Sequence, residues 1–246
     1  MRQIWPDAEE VDEVAAFVAS EHRPAPADRP WLLVNMIASL DGAITVDGRS
    51  GGLGGPADKA MFSALRGVAD VILVGAGTAR TEGYGPPRPS DEVRAARVAR
   101  GQSSAPRLAV VTRSLDLDPA ARFFAEAEEP PYVICPRQAP AARMDALAPV
   151  AQIVATGNEE VDLAAAVGLL RDDGAAVVTG EGGPSLNADL IAHDLVDEWA
   201  LTLAPLLVGG DSVRSSSGMA SPDPRRFALH RLLEGDGLLL SRWVRA

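Results

Sequence analysis

Short, mostly apolar runs constrain this chain more than any other feature. They occupy residues 32–38, 71–74, 108–111, 132–135, 152–155 and 175–178, and most end near Gly, Ser or Thr. A strand that is apolar at every position needs cover on both faces, which is the condition of a parallel sheet packed between helices. Helical spacing appears between the runs. Residues 57–68 put Met61, Leu65 and Val68 on one side, with Pro56 in a first-turn position and Asp58 near the positive end. Residues 161–170 and 185–191 repeat the pattern, and the polar stretch 86–102 reads as a surface loop with a short helix near 91–100. Strand alternating with helix predicts a parallel α/β sheet. The end of the chain differs. Residues 227–233 and 238–244 flank Glu234-Gly235-Asp236-Gly237, a tight-hairpin signal. The expected fold class is α/β: a mixed sheet, mostly parallel with a C-terminal antiparallel hairpin, and helices on both faces.

Residues 9–20 place Val11, Val14, Ala15 and Val18 at helical spacing before Pro24, Pro26 and Pro30 interrupt it. A helical appendage with a Pro-rich linker is therefore expected over 1–29, and one large domain over 30–246. The net charge of −11 disfavours nucleic acid and anionic membranes as partners and leaves small molecules. The single cysteine, Cys135, lies in an apolar run and reads as a buried small hydrophobe. His22, His193 and His230 are far apart and share no ligand spacing, so no metal is expected. No signal-like segment and no apolar stretch of about 18 residues occurs, which makes a cytoplasmic location the expectation.

Five segments could carry chemistry. Gly180-Glu181-Gly182-Gly183-Pro184-Ser185-Leu186 follows one predicted strand and opens a predicted helix. Glycines there admit a ligand close to the backbone, and free N–H groups at a helix start suit a pyrophosphate. The same residues also make a tight strand-to-helix turn, and Glu181 suits an anion site only if it points toward a substrate donor. Ser39-Leu40-Asp41-Gly42 puts Asp41 at the carboxyl edge of a strand, where ligands bind in open α/β sheets, although Asp-Gly is equally a turn. Val74-Gly75-Ala76-Gly77-Thr78, followed by Arg80, Glu82 and Tyr84, is a third strand end. Thr112-Arg113-Ser114 offers hydroxyl, guanidinium and hydroxyl in a row, fit for an adenosine 2′-phosphate or for solvent; the first use selects NADPH over NADH. Residues 50–56 form a glycine-rich loop, either a mobile cover or a connector, leading to the helix that carries Arg66.

The segments Trp31-Leu-Leu-Val-Asn-Met-Ile-Ala-Ser-Leu-Asp-Gly42, Leu65-Arg66, Ala69-Asp70-Val-Ile-Leu-Val-Gly-Ala-Gly-Thr78, Gly180 to Leu186 and Leu203-Ala-Pro-Leu-Leu-Val-Gly-Gly210 resemble, in order and spacing, the RibD C-terminal reductase family. The likeness is nearest to stand-alone actinobacterial members, one of which is regarded as able to stand in for dihydrofolate reductase. It implies a dihydrofolate-reductase-like fold, usually dimeric, and NADPH-dependent reduction of the ribosyl group of a pyrimidine phosphate. By position it implies that Ile37, Thr78, Glu82, Thr112 and the run 183–189 face NADPH. It further implies that Ser50, Arg66 and Glu181 face the substrate, with Arg66 on its phosphate and Arg88 assisting.

Combined with the reading of the residues, the expected cofactor set is Ile37, Ala38, Gly75, Gly77, Thr78, Glu82, Thr112, Arg113, Ser114, Gly182, Gly183, Pro184, Ser185 and Leu186. The expected substrate set is Asn35, Ser50, Arg66 and Arg88, and the expected catalytic pair is Asp41 and Glu181. The chain departs from the family in two places. Gly52-Leu53 stands where a tryptophan is usual, and Glu82-Gly83-Tyr84 stands where Asp-Asp-Pro is usual. Both bear on the substrate. The expected substrate is a ribosylaminopyrimidine phosphate of the 5-amino-6-ribosylaminouracil type. A dihydrofolate or other pterin-like substrate, and an NADPH-binding module without catalysis, are the alternatives.

Overall fold

Burial on both faces is what the apolar runs require, and one sheet provides it. The computed structural model describes residues 1–219 and 223–246. In chain order the elements are β1 (Arg2–Trp5), β2 (Glu9–Glu10), α1 (Val14–Ala19), β3 (Trp31–Ser39), a 3₁₀ turn (Ser50–Gly52), α2 (Pro56–Val68), β4 (Val71–Gly75), α3 (Ala76–Thr81), α4 (Asp91–Ala99) and β5 (Arg107–Val111). They continue with α5 (Arg122–Ala125), β6 (Tyr132–Cys135), α6 (Ala141–Leu147), β7 (Gln152–Ala155), α7 (Leu163–Asp172), β8 (Val177–Gly180), α8 (Pro184–Ala192), β9 (Glu198–Ala204), β10 (Phe227–Gly235) and β11 (Leu238–Arg245). The strand order is β2-β1-β10-β11-β9-β3-β8-β4-β5-β6-β7. From β9 to β7 neighbours run parallel; β11, β10, β1 and β2 continue the sheet antiparallel.

The strand pleat sends alternate residues to opposite cores. Leu32 and Val34 pack with Leu73, Val167 and Leu190 under α7 and α8. Leu33 packs on the other face with Met61 and Leu65 of α2 and Val18 of α1. The expected class, a mixed sheet with a C-terminal hairpin, is the observed one. The hairpin turns through Asp236 and Gly237, both at positive φ, which matches strand twist.

Three features depart from the reading of the sequence. The opening segment is not a helical appendage: β1 adds to β10 in the main sheet, and the helix is confined to Val14–Ala19. Glu9 and Glu10 are claimed by pairing with β1. The strand end at Gly75 leads directly into a helix, α3, for which Gly75 provides an extended N-cap. β9 escaped notice because its burial alternates, buried at Glu198, Ala200, Thr202 and Ala204, rather than forming an apolar run.

Helix α2 is anchored at both ends by distant groups. Its N-cap, Gly55, has no side chain to offer, and the Ala57 N–H donates instead to Asp236 Oδ2 of the hairpin turn at 2.9 Å. At its carboxyl end the fully buried Arg97 of α4 donates to the carbonyls of Ala69 (2.6 Å), Gly67 (3.1 Å) and Ser103 (2.9 Å). Burial pulls the Arg97 guanidinium down to about 10, which leaves it charged at neutral pH. A cation there also favours the negative end of the helix. Arg97→Met keeps the volume but strips these carbonyls of their donor. It is expected to destabilise the protein by about 2–4 kcal/mol, read as a lower urea midpoint at unchanged m.

Candidate active site

A cavity of about 710 Å³ opens at the carboxyl ends of β3, β4 and β8, the size of a small-molecule site. One wall is glycine. The Gly75 N–H donates to the Gly182 carbonyl at 2.8 Å, which joins the end of β4 to the turn after β8. A Cβ on Gly183 would sit 2.5 Å from Thr78 Oγ1, and Gly182 has φ +86°, so this turn excludes side chains for both steric and backbone reasons. The peptide between Gly182 and Gly183 is cis. Pro184, Ser185 and Leu186 begin α8 at the same rim, and Ile37 and Met36 of β3 lie beside them.

The opposite wall is α2 with the loop before it, where Ser50, Gly54, Asp58, Phe62 and Arg66 line the cavity. The 3₁₀ turn is tied across to α3 by the Ser50 N–H donating to Glu82 Oε1 at 2.9 Å. Gly52 stands against Val46 so closely that a Cβ would meet Val46 Cβ at 3.0 Å. A bulky residue there would have to displace that valine.

Between the walls lies a buried charge cluster. Arg66 Nε and Nη2 donate to Glu181 Oε1 and Oε2 at 2.7 and 2.6 Å, and the Tyr84 hydroxyl donates to Oε2 at 2.8 Å. The Arg66 guanidinium also covers the Phe62 ring at 4.2 Å. Burial works to lower the Arg66 pKa, but the Glu181 carboxylate outweighs it and the net shift is upward. Burial first, and the Glu181 charge second, push the Tyr84 phenol well above its ordinary value, so it is held as a protonated donor.

The structure brings Asn35, Ile37, Ser50, Arg66, Gly75, Gly77, Thr78, Glu82 and the run from Glu181 to Leu186 to this one cavity. Six expected residues are placed elsewhere. Asp41 is exposed beyond the end of β3, where its carboxylate accepts from the Ser39 hydroxyl, the Gly209 N–H at 2.6 Å and the Val208 N–H at 3.2 Å. Its chemistry is that of a loop anchor. Ala38 is a buried residue near the end of β3, outside the lining. Arg88 extends on the surface to Glu126 at 2.6 Å. Thr112 is buried and spends its hydroxyl on the Leu115 N–H at 3.0 Å. Arg113 and Ser114 are exposed at the end of β5, one strand beyond β4, and Arg113 pairs there with Glu160 at 2.7 Å. Beyond Leu186 the run 187–189 turns away: Asn187 is fully buried and bonded to the Ser215 carbonyl, and Asp189 is exposed. Asp58, Phe62 and Tyr84 were not among the expected site residues. For Asp58 and Phe62 the available signal was their helical spacing with Arg66.

A model of the RibD C-terminal domain matches residues 30–235. The chain is 31% identical over 183 residues to a protein of Archaeoglobus fulgidus named 2,5-diamino-6-ribosylamino-4(3H)-pyrimidinone 5′-phosphate reductase, covering 74% of this chain and 83% of that one. It is 29% identical over 187 residues to a protein of the same name in Methanothermobacter thermautotrophicus, covering 76% and 83%. Among solved structures, a pyrimidine reductase-like protein from Corynebacterium diphtheriae superposes with a TM-score of 0.82 at 27% identity, over 95% of this chain and 98% of that one.

The hydroxyl and amide donors around Asp41 depress its carboxyl to about 2, Ser39 contributing most. A depressed carboxyl contributes stability that is complete above the unfolded value of about 4 and is lost as pH falls toward the folded one. Asp41→Asn should therefore lower Tm at pH 7, with the gap to wild type closing between about pH 4 and 2. Turnover at saturating substrate should persist. Scanning calorimetry with a parallel assay checks both, and a collapse of turnover with Tm intact would return Asp41 to the chemistry.

Proposed function

The chain belongs to the RibD C-terminal domain family, and on that premise we propose that it is an NADPH-dependent reductase of a ribosylaminopyrimidine phosphate. The observation that carries this reading is the two-sided cavity, with a side-chain-free glycine wall facing a wall that bears Arg66 and Glu181.

The glycine wall fits a nicotinamide dinucleotide. Residues Gly75, Gly77, Thr78 and the run from Gly182 to Leu186 would hold it, since the turn at Gly182 and Gly183 leaves backbone rather than side chain at the rim. The start of α8 supplies N–H groups suited to its phosphates. The preference for the 2′-phosphorylated form rests on Arg113 and Ser114 at the end of β5. The Arg113–Glu160 pair is an exposed contact of small worth, easily exchanged for a phosphate. When bound, the cofactor supplies a hydride to C1′ of the sugar in its open-chain imine form, while the imine nitrogen takes up a proton.

The protein contributes position and charge. Glu181 accepts from the sugar hydroxyls, and Arg66 holds Glu181 in orientation while facing the phosphate. Tyr84, kept protonated, fixes the second oxygen of Glu181. The names of the archaeal relatives support the substrate class.

The protein should oxidise NADPH when given such a substrate. Glu181→Gln should lower kcat/KM by about 100-fold, the equivalent of one charge-assisted contact of about 2.7 kcal/mol. Arg113→Ala should narrow the NADPH-over-NADH preference about tenfold with kcat retained. NADPH binding without oxidation in the presence of any ribosylaminopyrimidine phosphate would overturn the assignment.

A further inference from the structure

Of the 23 lysine and arginine residues in this chain, one is a lysine, and that one, Lys59, lines the cavity. Helix α2 gives the cavity a stripe of side chains, Asp58, Phe62 and Arg66 at every fourth position, with Lys59 beside it. Lys59 and Arg66 are two turns apart, on the same side of the helix, with about 10 Å of axis between them. Phe62 stands between the two along the helix.

The two cations are in opposite conditions. Arg66 is committed. Its Nε and Nη2 donate to the two oxygens of Glu181 at 2.7 and 2.6 Å. Its guanidinium lies 4.2 Å from the Phe62 ring and 5.5 Å from the Tyr84 ring. Lys59 is exposed, and among the described residues its ammonium has no hydrogen bond and no ion pair. Asp58 precedes it in sequence without pairing to it. Asp58 Oδ2 is turned to the loop before the helix, 2.6 Å from where a Cβ of Gly54 would stand.

Three carboxyl groups line the cavity, Asp58, Glu82 and Glu181, against these two cations. A phosphate ester carries close to two negative charges near neutral pH. It enters such a cavity against repulsion unless a cation without a partner of its own is at hand. Arg66 offers it geometry but little net charge. A lysine ammonium is a compact charge that turns three donors on a flexible stem, and it suits a phosphate that arrives from solvent.

We propose that Lys59 is the counter-charge of the substrate's phosphate ester, and that Arg66, held by Glu181 and Phe62, is a positioning residue that faces the phosphate without neutralising it. This rests on the reductase reading of the cavity and adds the residue that anchors its substrate. The phosphate passes through the reduction unchanged, so Lys59 holds substrate, transition state and product alike. Its contribution belongs to KM and leaves kcat alone.

Lys59→Gln removes the charge at an exposed position and keeps most of the stem. The kcat/KM for the phosphate ester should fall about tenfold, through KM, while that for the dephosphorylated nucleoside stays level. The preference for ester over nucleoside narrows by the same factor. Lys59→Arg should keep the preference, and Lys59→Glu should cost it about 100-fold. Added salt should weaken ester binding to wild type more steeply than to Lys59→Gln. Pyridoxal 5′-phosphate, an aldehyde bearing a phosphate ester, should be trapped on Lys59 by borohydride, with peptide mapping to separate it from the N-terminal amine. The substrate's ester should protect against this labelling, and NADPH should not. An unchanged preference, or equal losses for ester and nucleoside, overturns the role of Lys59 and leaves the reductase reading standing. A loss confined to NADPH affinity overturns it too, because the charge then serves a phosphate of the cofactor. Calorimetric titration with ribose 5-phosphate separates the two readings. Binding that weakens in Lys59→Gln, in a protein that oxidises NADPH with no ribosylaminopyrimidine phosphate, upholds the phosphate anchor and removes the reductase.

Discussion

The placement of α2 is the constraint on which the rest of this molecule depends. The helix carries no side-chain cap of its own, and both ends are fixed by groups far away in sequence: Asp236 in the hairpin turn and Arg97 in α4. The C-terminal hairpin is therefore part of the site's support as well as the end of the sheet. Without those two anchors the helix would rely on Met61, Leu65 and Val68 alone, and apolar packing fixes rotation about the axis less sharply than hydrogen bonds fix position along it. The stripe of Asp58, Phe62 and Arg66 needs both.

Facing it, the junction of β4 and β8 works by subtraction. The contact from the Gly75 N–H to the Gly182 carbonyl closes the two strand ends so tightly that Gly183 touches the space of Thr78. Backbone reaches the cavity there because no side chain can. The two walls thus divide the labour. The glycine wall presents N–H groups and a helix start, and the α2 wall presents side chains with charge and shape. Such a division suits a cofactor common to many reactions beside a substrate particular to one.

How much of this was legible in the sequence follows from how local each signal is. The strands from β3 to β8 announce themselves because burial on both faces leaves an apolar run, whereas β9, with Glu198 turned into a buried ion pair with Arg242, does not. The glycine turn after β8 was legible because its chemistry is contained in seven consecutive residues. Asp41, expected in the site, stands outside the cavity lining, because Asp-Gly after a strand serves a ligand site and a turn equally well. The decision lies with Val208 and Gly209, brought near only by the fold. Asp58 was passed over because an acidic residue in a first helical turn already has a local explanation. The spacing that links it to Phe62 and Arg66 was present in the sequence, but only the packing of Met61 and Leu65 toward the core shows which face of the helix is left for the ligand. Tyr84 lies in a loop with no period at all, and its role is visible only through Glu181.

On the proposed reading, a chain with a net charge of −11 takes two anionic ligands and must solve the problem locally. Among the described residues lining the cavity, the cations are Lys59 and Arg66, both on α2. The glycine wall contributes none. A dinucleotide seated there would find its electrostatic support in backbone N–H groups and the start of α8, dipoles already fixed in place. On the same reading the substrate phosphate would meet Arg66, whose charge is already matched to Glu181. That pairing lets an arginine sit in a buried cavity without an orphaned charge before the substrate arrives. It also means that the phosphate adds to an existing ion pair, so the gain on binding comes from its geometry more than from raw attraction.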